Sequence, residues 1–231
     1  MGHKIRPDSF RLGIIVPWKS RWFFRGNFKA LLQEDEIIRR IVKEKIGQAG
    51  IVAIEIERTG GHSRVTIKAA KPGLIIGRGG KGIEELRKAI QAALAKHARK
   101  NGTSIKVPDF ILNIEELKRS EVSSSYIAQQ IAWDLEKRMP FRRTIKKYIE
   151  QLIQNKEVQG AKVRVGGRLD GAEIARDESL SRGKLPLQTL RASIDYGEAT
   201  AFTTFGTIGI KVWVYKGNIF KKRDEENNSR L

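Results

Sequence analysis

The sequence predicts an α+β protein of two domains, and three observations carry that prediction. Stretches with helical periodicity and stretches that alternate like strands follow one another from about residue 27 to 115, then again in a different order from 122 onward. A polar segment, KRSEV (118–122), separates the two series. The chain has 231 residues, 40% of them hydrophobic, enough to close two modest cores. The expected division is a basic, aromatic extension over 1–36 leading into the first helix, a first domain over 37–116, and a C-terminal α+β domain over 117–231 ending in a charged tail.

Within residues 1–26 stand Lys4, Arg6, Arg11, Lys19, Arg21 and Arg25 against one acid, Asp8. Trp18, Trp22, Phe23 and Phe24 lie between them, which predicts an arm that orders against RNA or against the body of the protein. From Asn27 to Ile46, Leu31, Ile38, Ile41, Val42 and Ile46 form one stripe of a helix that Gly47 is placed to end. IVAIEIER (51–58) and RVTIKAA (64–70) alternate around a GGHS turn and read as a hairpin. Pro72 suits the first turn of a short helix, PGLII, which stops at a cluster of glycines. After Gly82 a long amphipathic helix buries Ile83, Leu86, Ile90, Ala93 and Leu94 and ends near Asn101, and IKVPDFILNIEEL returns as a strand.

In the second half, Val122, Ile127, Ile131 and Leu135 mark one helix, and Pro140 opens another that is expected to run to about Val158. AKVRVGG, AEIAR, LRASIDYG, ATAFTTFG and IGIKVWVYKG then read as strands between glycine turns. The expectation is two helices on a small mixed β-sheet.

Composition narrows the function. Lys and Arg number 45 against 26 Asp and Glu, a formal charge of +19. Self-repulsion on that scale calls for a polyanionic partner, and nucleic acid is the leading candidate. With no cysteine, disulfides and thiolate zinc sites are excluded, and His3, His62 and His97 are too scattered to form a metal cluster. No metal, cofactor or small-molecule substrate is expected. The apolar run LGIIVP is too short for a signal-peptide core or a membrane span, so no membrane partner is expected and the protein reads as intracellular. Nucleophile, base and oxyanion donor are nowhere supplied together, which argues against an enzyme and leaves no catalytic residue to name.

LIIGRGGKGIEEL (74–86) places four glycines within six residues, although glycine costs a helix ~1 kcal/mol per position relative to alanine. A Walker loop fails, because Ile75 occupies the position of its first glycine and Gly82 follows Lys81. Gly77-Arg78-Gly79-Gly80-Lys81-Gly82 does satisfy GxGxxG, but a helix-like segment precedes it and no acid ends the next strand. The third reading is GxxG, Gly77-Arg78-Gly79-Gly80, between a short and a long helix. The order helix–strand–strand–helix–GxxG–helix–strand is that of a type II KH domain, whose loop lets a nucleic-acid backbone approach closely. Gly77, Gly79 and Gly80 remove the Cβ atoms that would hold phosphates away, while Arg78 and Lys81 supply charge.

The second signal is RMPFRRTIKKYIEQLI (138–153). As a helix it turns Phe141, Ile145, Tyr148, Ile149 and Leu152 inward and Arg142, Arg143, Lys146 and Lys147 outward in two turn-spaced rows. One turn rises ~5.4 Å, so such a face can track an extended strand. Further on, Arg164, Arg168 and Arg176 keep the C-terminal half basic; with Lys4, Arg6, Arg11 and Arg21 they are the remaining candidates for RNA contact.

MGHKIRPDSFRLGI, WKSRWF, RVTIKAAKPGLIIGRGGKGIEELRK, MPFRRTIKK, GRLDGAEIARDE, GKLPLQTLRASIDYG and TFGTIGIKVWVYKG together resemble the bacterial-type family of the KH-domain protein of the small ribosomal subunit, its protein number three. The resemblance implies assembly into the head of the small subunit on the 3′ domain of its ribosomal RNA, with neighbouring ribosomal proteins as partners and the cytoplasmic or an organellar ribosome as its location. It also implies a place where messenger RNA enters. By motif match Arg142, Arg143 and Lys146 would help unwind messenger structure there; Lys147 is added on charge alone. Departures from the family pattern are a longer stretch around ARKNGTSIKVPDF and the residues Pro140 and Asp170. The alternatives are a free-standing KH-domain RNA-binding factor and, less in keeping with the residues, a dinucleotide-binding enzyme.

Overall fold

A computed structural model describes residues 4–23, 28–59, 62–100, 110–117 and 122–220. In chain order the elements are α1 (Pro7–Arg11), β1 (Ser20–Phe23), α2 (Phe28–Ile46), β2 (Ile51–Thr59), β3 (His62–Ala69), α3 (Pro72–Ile76), α4 (Lys81–Lys100) and β4 (Phe110–Glu116). They continue as α5 (Ser124–Glu136), α6 (Phe141–Gln154), β5 (Gly160–Gly167), β6 (Arg176–Gly183), β7 (Ala192–Thr203) and β8 (Gly206–Asn218). The chain forms two compact units, one of residues 18–121 and one that joins residues 1–17 to residues 122–231.

The first of these units is a four-stranded sheet in the order β1-β2-β3-β4 with its helices. Strands β2 and β3 form the expected hairpin, while β1 and β4 join its two edges in parallel. Alternation decides what is inside. Ile54 and Ile56 of β2 and Val65 and Ile67 of β3 meet Ile38 and Val42 of α2, Ile75 of α3, and Leu86, Ile90 and Leu94 of α4. Strand β1 was not foreseen. Trp22 secures it by donating from its indole N–H to Asp35 at 3.0 Å and packing edge-on against Phe28 at 4.9 Å. Arg58 closes the same network on Asp35 and Glu34, so the buried Asp35 carboxylate is fully partnered. Phe24 and Arg25, the rest of IKVPDFILNIEEL before Phe110, most of the hinge 118–122 and the tail from 221 lie outside the described residues.

In the other unit α5 and α6 cover one face of a sheet ordered β6-β5-β8-β7. Ile131, Ile145, Ile149 and Leu152 from the helices are buried with Val163, Val165, Ile210 and Val212 from the strands. Ser123 caps α5, and Asp195 of β7 accepts from the Ser124 amide at 2.8 Å. Gly197 lets that helix end approach, since a Cβ there would fall 2.4 Å from Ser124 backbone.

Five expectations need correction here. LRASIDYG and ATAFTTFG form not two strands but one, β7, which runs on through Gly197 instead of turning there. The sheet is antiparallel throughout rather than mixed: short connections reverse the chain between β5 and β6 and between β7 and β8, and these two hairpins meet with β5 and β8 antiparallel as well. AEIAR is not a strand; β6 starts at its last residue and runs through RDESLSRG, an exposed edge whose only large apolar residue is Leu180. Helix α6 stops at Gln154 rather than near Val158, because Asn155 turns extended and its side chain accepts from the Glu157 amide. The supposed single extension 1–36 is divided between the two units.

Arg11 explains that division. Its guanidinium is fully buried, and it donates to the carbonyls of Pro7, Ala192, Leu187 and Thr189 at 2.7–2.9 Å, with Pro186 at 3.5 Å. The arm from Lys4 therefore orders against the body, on the segment that leads into β7. Arg6 adds an exposed pair with Glu198 at 3.0 Å and lies over the Tyr196 ring. Burial and the hydroxyl's bond to Glu198 push the Tyr196 pKa up to about 12. Replacing Arg11 with Ala is expected to cost about 3 kcal/mol or more in urea unfolding, since several buried carbonyls lose their donor together. Arg6→Ala, which breaks an exposed pair, should stay within about 1 kcal/mol.

Candidate nucleic-acid interface

The glycine-rich turn is built from two helix ends. Helix α3 stops at Gly77 (φ 68°), Arg78 to Gly80 make one 3-10 turn, and α4 begins at Lys81. Gly79 (φ 62°) and Gly80 (φ 80°) occupy the left-handed region with open space around them, so conformation rather than crowding selects glycine. Gly82 differs. A Cβ there would fall 2.4 Å from the Ile75 carbonyl oxygen, so this glycine sets how closely α3 and α4 approach. The solvent-facing turn is thus Gly77 to Lys81, and Gly82 serves packing. A helix, not a strand, precedes Gly77, so the dinucleotide reading of GxGxxG lacks its strand.

Arg78 and Lys81 are both exposed, and no acid among the described residues pairs with either. Beside them Leu74 (63% exposed) and Ile76 (39%) project outward while Ile75 is buried. Sequence reading assigned PGLII only to a helix and missed this apolar margin, against which a base could lie. The signal was there: three consecutive apolar residues on a one-turn helix cannot all face one core.

On α6, Phe141, Thr144, Ile145, Tyr148, Ile149 and Leu152 are buried, and Arg142, Arg143, Lys146 and Lys147 are exposed. Pro140 sits directly before the helix, and its carbonyl accepts from the Thr144 amide at 3.1 Å. The four cations are not equivalent. Arg142 bonds Glu178 of β6 at 2.9 Å, which raises the Arg142 pKa and holds the Glu178 carboxyl below its usual range. Lys147 approaches Asp134 of α5 at 3.8 Å. The same carboxylate accepts from the Tyr148 hydroxyl at 2.8 Å; burial first, and that bond second, push the Tyr148 pKa up, so the phenol keeps its proton. Arg143 and Lys146 have no acid partner among the described residues.

The other candidate contacts separate by role. Arg11 is withdrawn from any interface by its burial. Lys4 is exposed; Arg6 pairs with Glu198 and Asp8, Arg21 with Glu57, and Arg164 with Asp177. Arg168 is engaged in the fold, donating to the carbonyls of Ala172 at 2.9 Å and Phe205 at 3.3 Å around a turn in which Asp170 holds φ 52°. Arg176 is exposed at the start of β6. No helix is long and apolar enough to cross a membrane, and no group of three His, Asp or Glu could hold a metal ion, among the described residues.

Comparison with known proteins agrees with this geometry. Residues 37–122 match the KH domain family, and residues 131–214 match the family described as ribosomal protein S3, C-terminal domain. Small ribosomal subunit protein uS3 of Desulfitobacterium hafniense is 46% identical over 95% of this chain and 94% of its own length. The uS3 proteins of Endomicrobium trichonymphae (46% identical; 98% of this chain, 92% of theirs) and Clostridium novyi (45%; 98% and 99%) are similar over the same extent.

The two kinds of turn residue should behave differently. Replacing Arg78 and Lys81 together with Ala should leave the unfolding free energy unchanged to about 0.5 kcal/mol, weaken RNA binding and shallow its salt dependence. Gly82→Ala should instead cost about 1–3 kcal/mol in denaturant titration, because the helix crossing must open.

Proposed function

This chain belongs to the family of small ribosomal subunit protein uS3, and from that premise we propose that it holds ribosomal RNA at its GxxG turn and grips messenger RNA along α6. It is an RNA-binding structural constituent of the small subunit and not an enzyme. The finer placement is the subunit head, on the 3′ domain of the ribosomal RNA, beside other ribosomal proteins and at the entrance for messenger RNA on the cytoplasmic ribosome.

One observation carries the messenger reading. Arg143 and Lys146 project from a helix whose opposite face is locked in a core, with no acid partner among the described residues. A rigid support spares the backbone-ordering cost of binding, and exposed cations of one sign leave charge to be neutralised by phosphate. Arg142 and Lys147 flank them and complete two rows of turn-spaced charge. Such a ridge holds one strand of a duplex while movement of the message relative to the ribosome supplies the work; the residues described contain no nucleotide-driven motor motif.

Subunits carrying Arg142→Ala, Arg143→Ala and Lys146→Ala together should assemble normally, because all three side chains are exposed. They should translate unstructured messages at the normal rate and stable hairpins several-fold more slowly. Equal rates on both messages would refute the grip. Persistence of the chain on small subunits through a moderate-salt wash checks the ribosomal assignment separately.

A further inference from the structure

The edge strand β6 runs beside α6 in the same direction, and the match is set by two ion pairs. Arg142 of α6 meets Glu178 of β6 at 2.9 Å, and Glu150 of α6 meets Arg182 of β6 at 3.7 Å. From 142 to 150 a helix rises ~12 Å, and from 178 to 182 a strand advances ~13 Å, so the two elements stay in step. Strand period places Arg176, Glu178, Leu180 and Arg182 on one side of β6, and Glu178 and Arg182 fix that side as the one facing α6. Lys146, midway between Arg142 and Glu150 on the helix, has no acid partner among the described residues.

We propose that the groove between α6 and β6 is a phosphate track for single-stranded RNA, in which Arg176 and Arg182 of the strand form a second row of contacts and Glu178 is a counter-charge displaced from Arg142 when a phosphate arrives. The proposal rests on the messenger reading of α6 and extends it to a second element. Charge complementarity names the occupant. Lining the groove are Arg142, Lys146, Arg176 and Arg182 against Glu150 and Glu178, both already paired with an arginine, with Asp170 near enough to act on Arg142 as well. Each is exposed or half-exposed, so exchange of a carboxylate for a phosphate buries no unpaired charge. β6 is well suited to line such a track: it pairs with β5 on one side only, and it is almost wholly exposed. The carboxylates also give discrimination. A ligand must bring enough negative charge to replace them, which a phosphate chain does and a single acidic side chain does less well.

The test measures binding of a uridine oligonucleotide to the full chain over a series of salt concentrations. Glu178→Gln should tighten binding about two- to fivefold, since Arg142 is released, and should steepen the slope of log affinity against log salt. Arg182→Ala should weaken binding to a similar degree and shallow the slope by about 0.7, the value for one phosphate contact on a single strand, while Arg182→Lys keeps the slope. Arg143→Ala with Lys146→Ala is the control for the ridge itself. If that control weakens binding and the Glu178 and Arg182 variants change nothing, the track is overturned and the ridge stands. If the control also changes nothing, the ridge reading fails and the track falls with it. Unchanged melting temperatures for all variants confirm that the comparison is between folded proteins.

Discussion

An excess of nineteen positive charges is the constraint on which the rest of this structure depends. The fold does not spread its 26 acids evenly over 45 bases. It spends acids where a cation must be held in place: Asp35 and Glu34 on Arg58, Glu178 on Arg142, Asp134 near Lys147, Asp177 on Arg164. Arg11 is held by carbonyl oxygens alone. What remains unpaired among the described residues includes Arg78 and Lys81 at one turn and Arg143 and Lys146 on one helix face, two rigidly supported places where a polyanion can supply the missing charge. Buried pairs such as Arg58 with Asp35 serve architecture, whereas the exposed pairs of Arg142 and Arg182 hold cations that a polyanion can still reach.

Much of this was legible in the sequence because local patterns and tertiary needs agree there. Apolar residues at helical spacing located α2, α4, α5 and α6, and strict alternation located β2 and β3, because each of these elements buries one face in a core. The GxxG turn was legible because left-handed conformations at Gly77, Gly79 and Gly80 demand glycine. The four cations of α6 were legible because one sign of charge runs unbroken across a face whose other side is apolar.

The rest was hidden for identifiable reasons. RDESLSRG carries no alternation because β6, at a sheet edge, buries almost nothing on either face. LRASIDYG and ATAFTTFG read as two strands because Gly197 interrupts the pattern, yet that glycine marks the close approach of α5 and not a turn. Arg168 and Arg11 looked like surface bases, and both spend their donors on backbone carbonyls, Arg11 on carbonyls far along the chain. Long-range contacts of this kind leave no local trace. Nor does the sequence distinguish Arg142 from Arg143; only the placement of Glu178 on the neighbouring strand does that.

The cage around Arg11 has a temporal consequence. Its acceptors at Leu187, Thr189 and Ala192 lie more than 170 residues downstream, and the whole unit of residues 18–121 lies between. During synthesis the segment carrying Arg11 is therefore made long before the segment on which it docks. Until residues 187–192 have been made, that guanidinium has only the Pro7 carbonyl of its own turn to bond, and its segment stays undocked while the intervening unit closes on itself. A product truncated before residue 187 would keep that segment undocked.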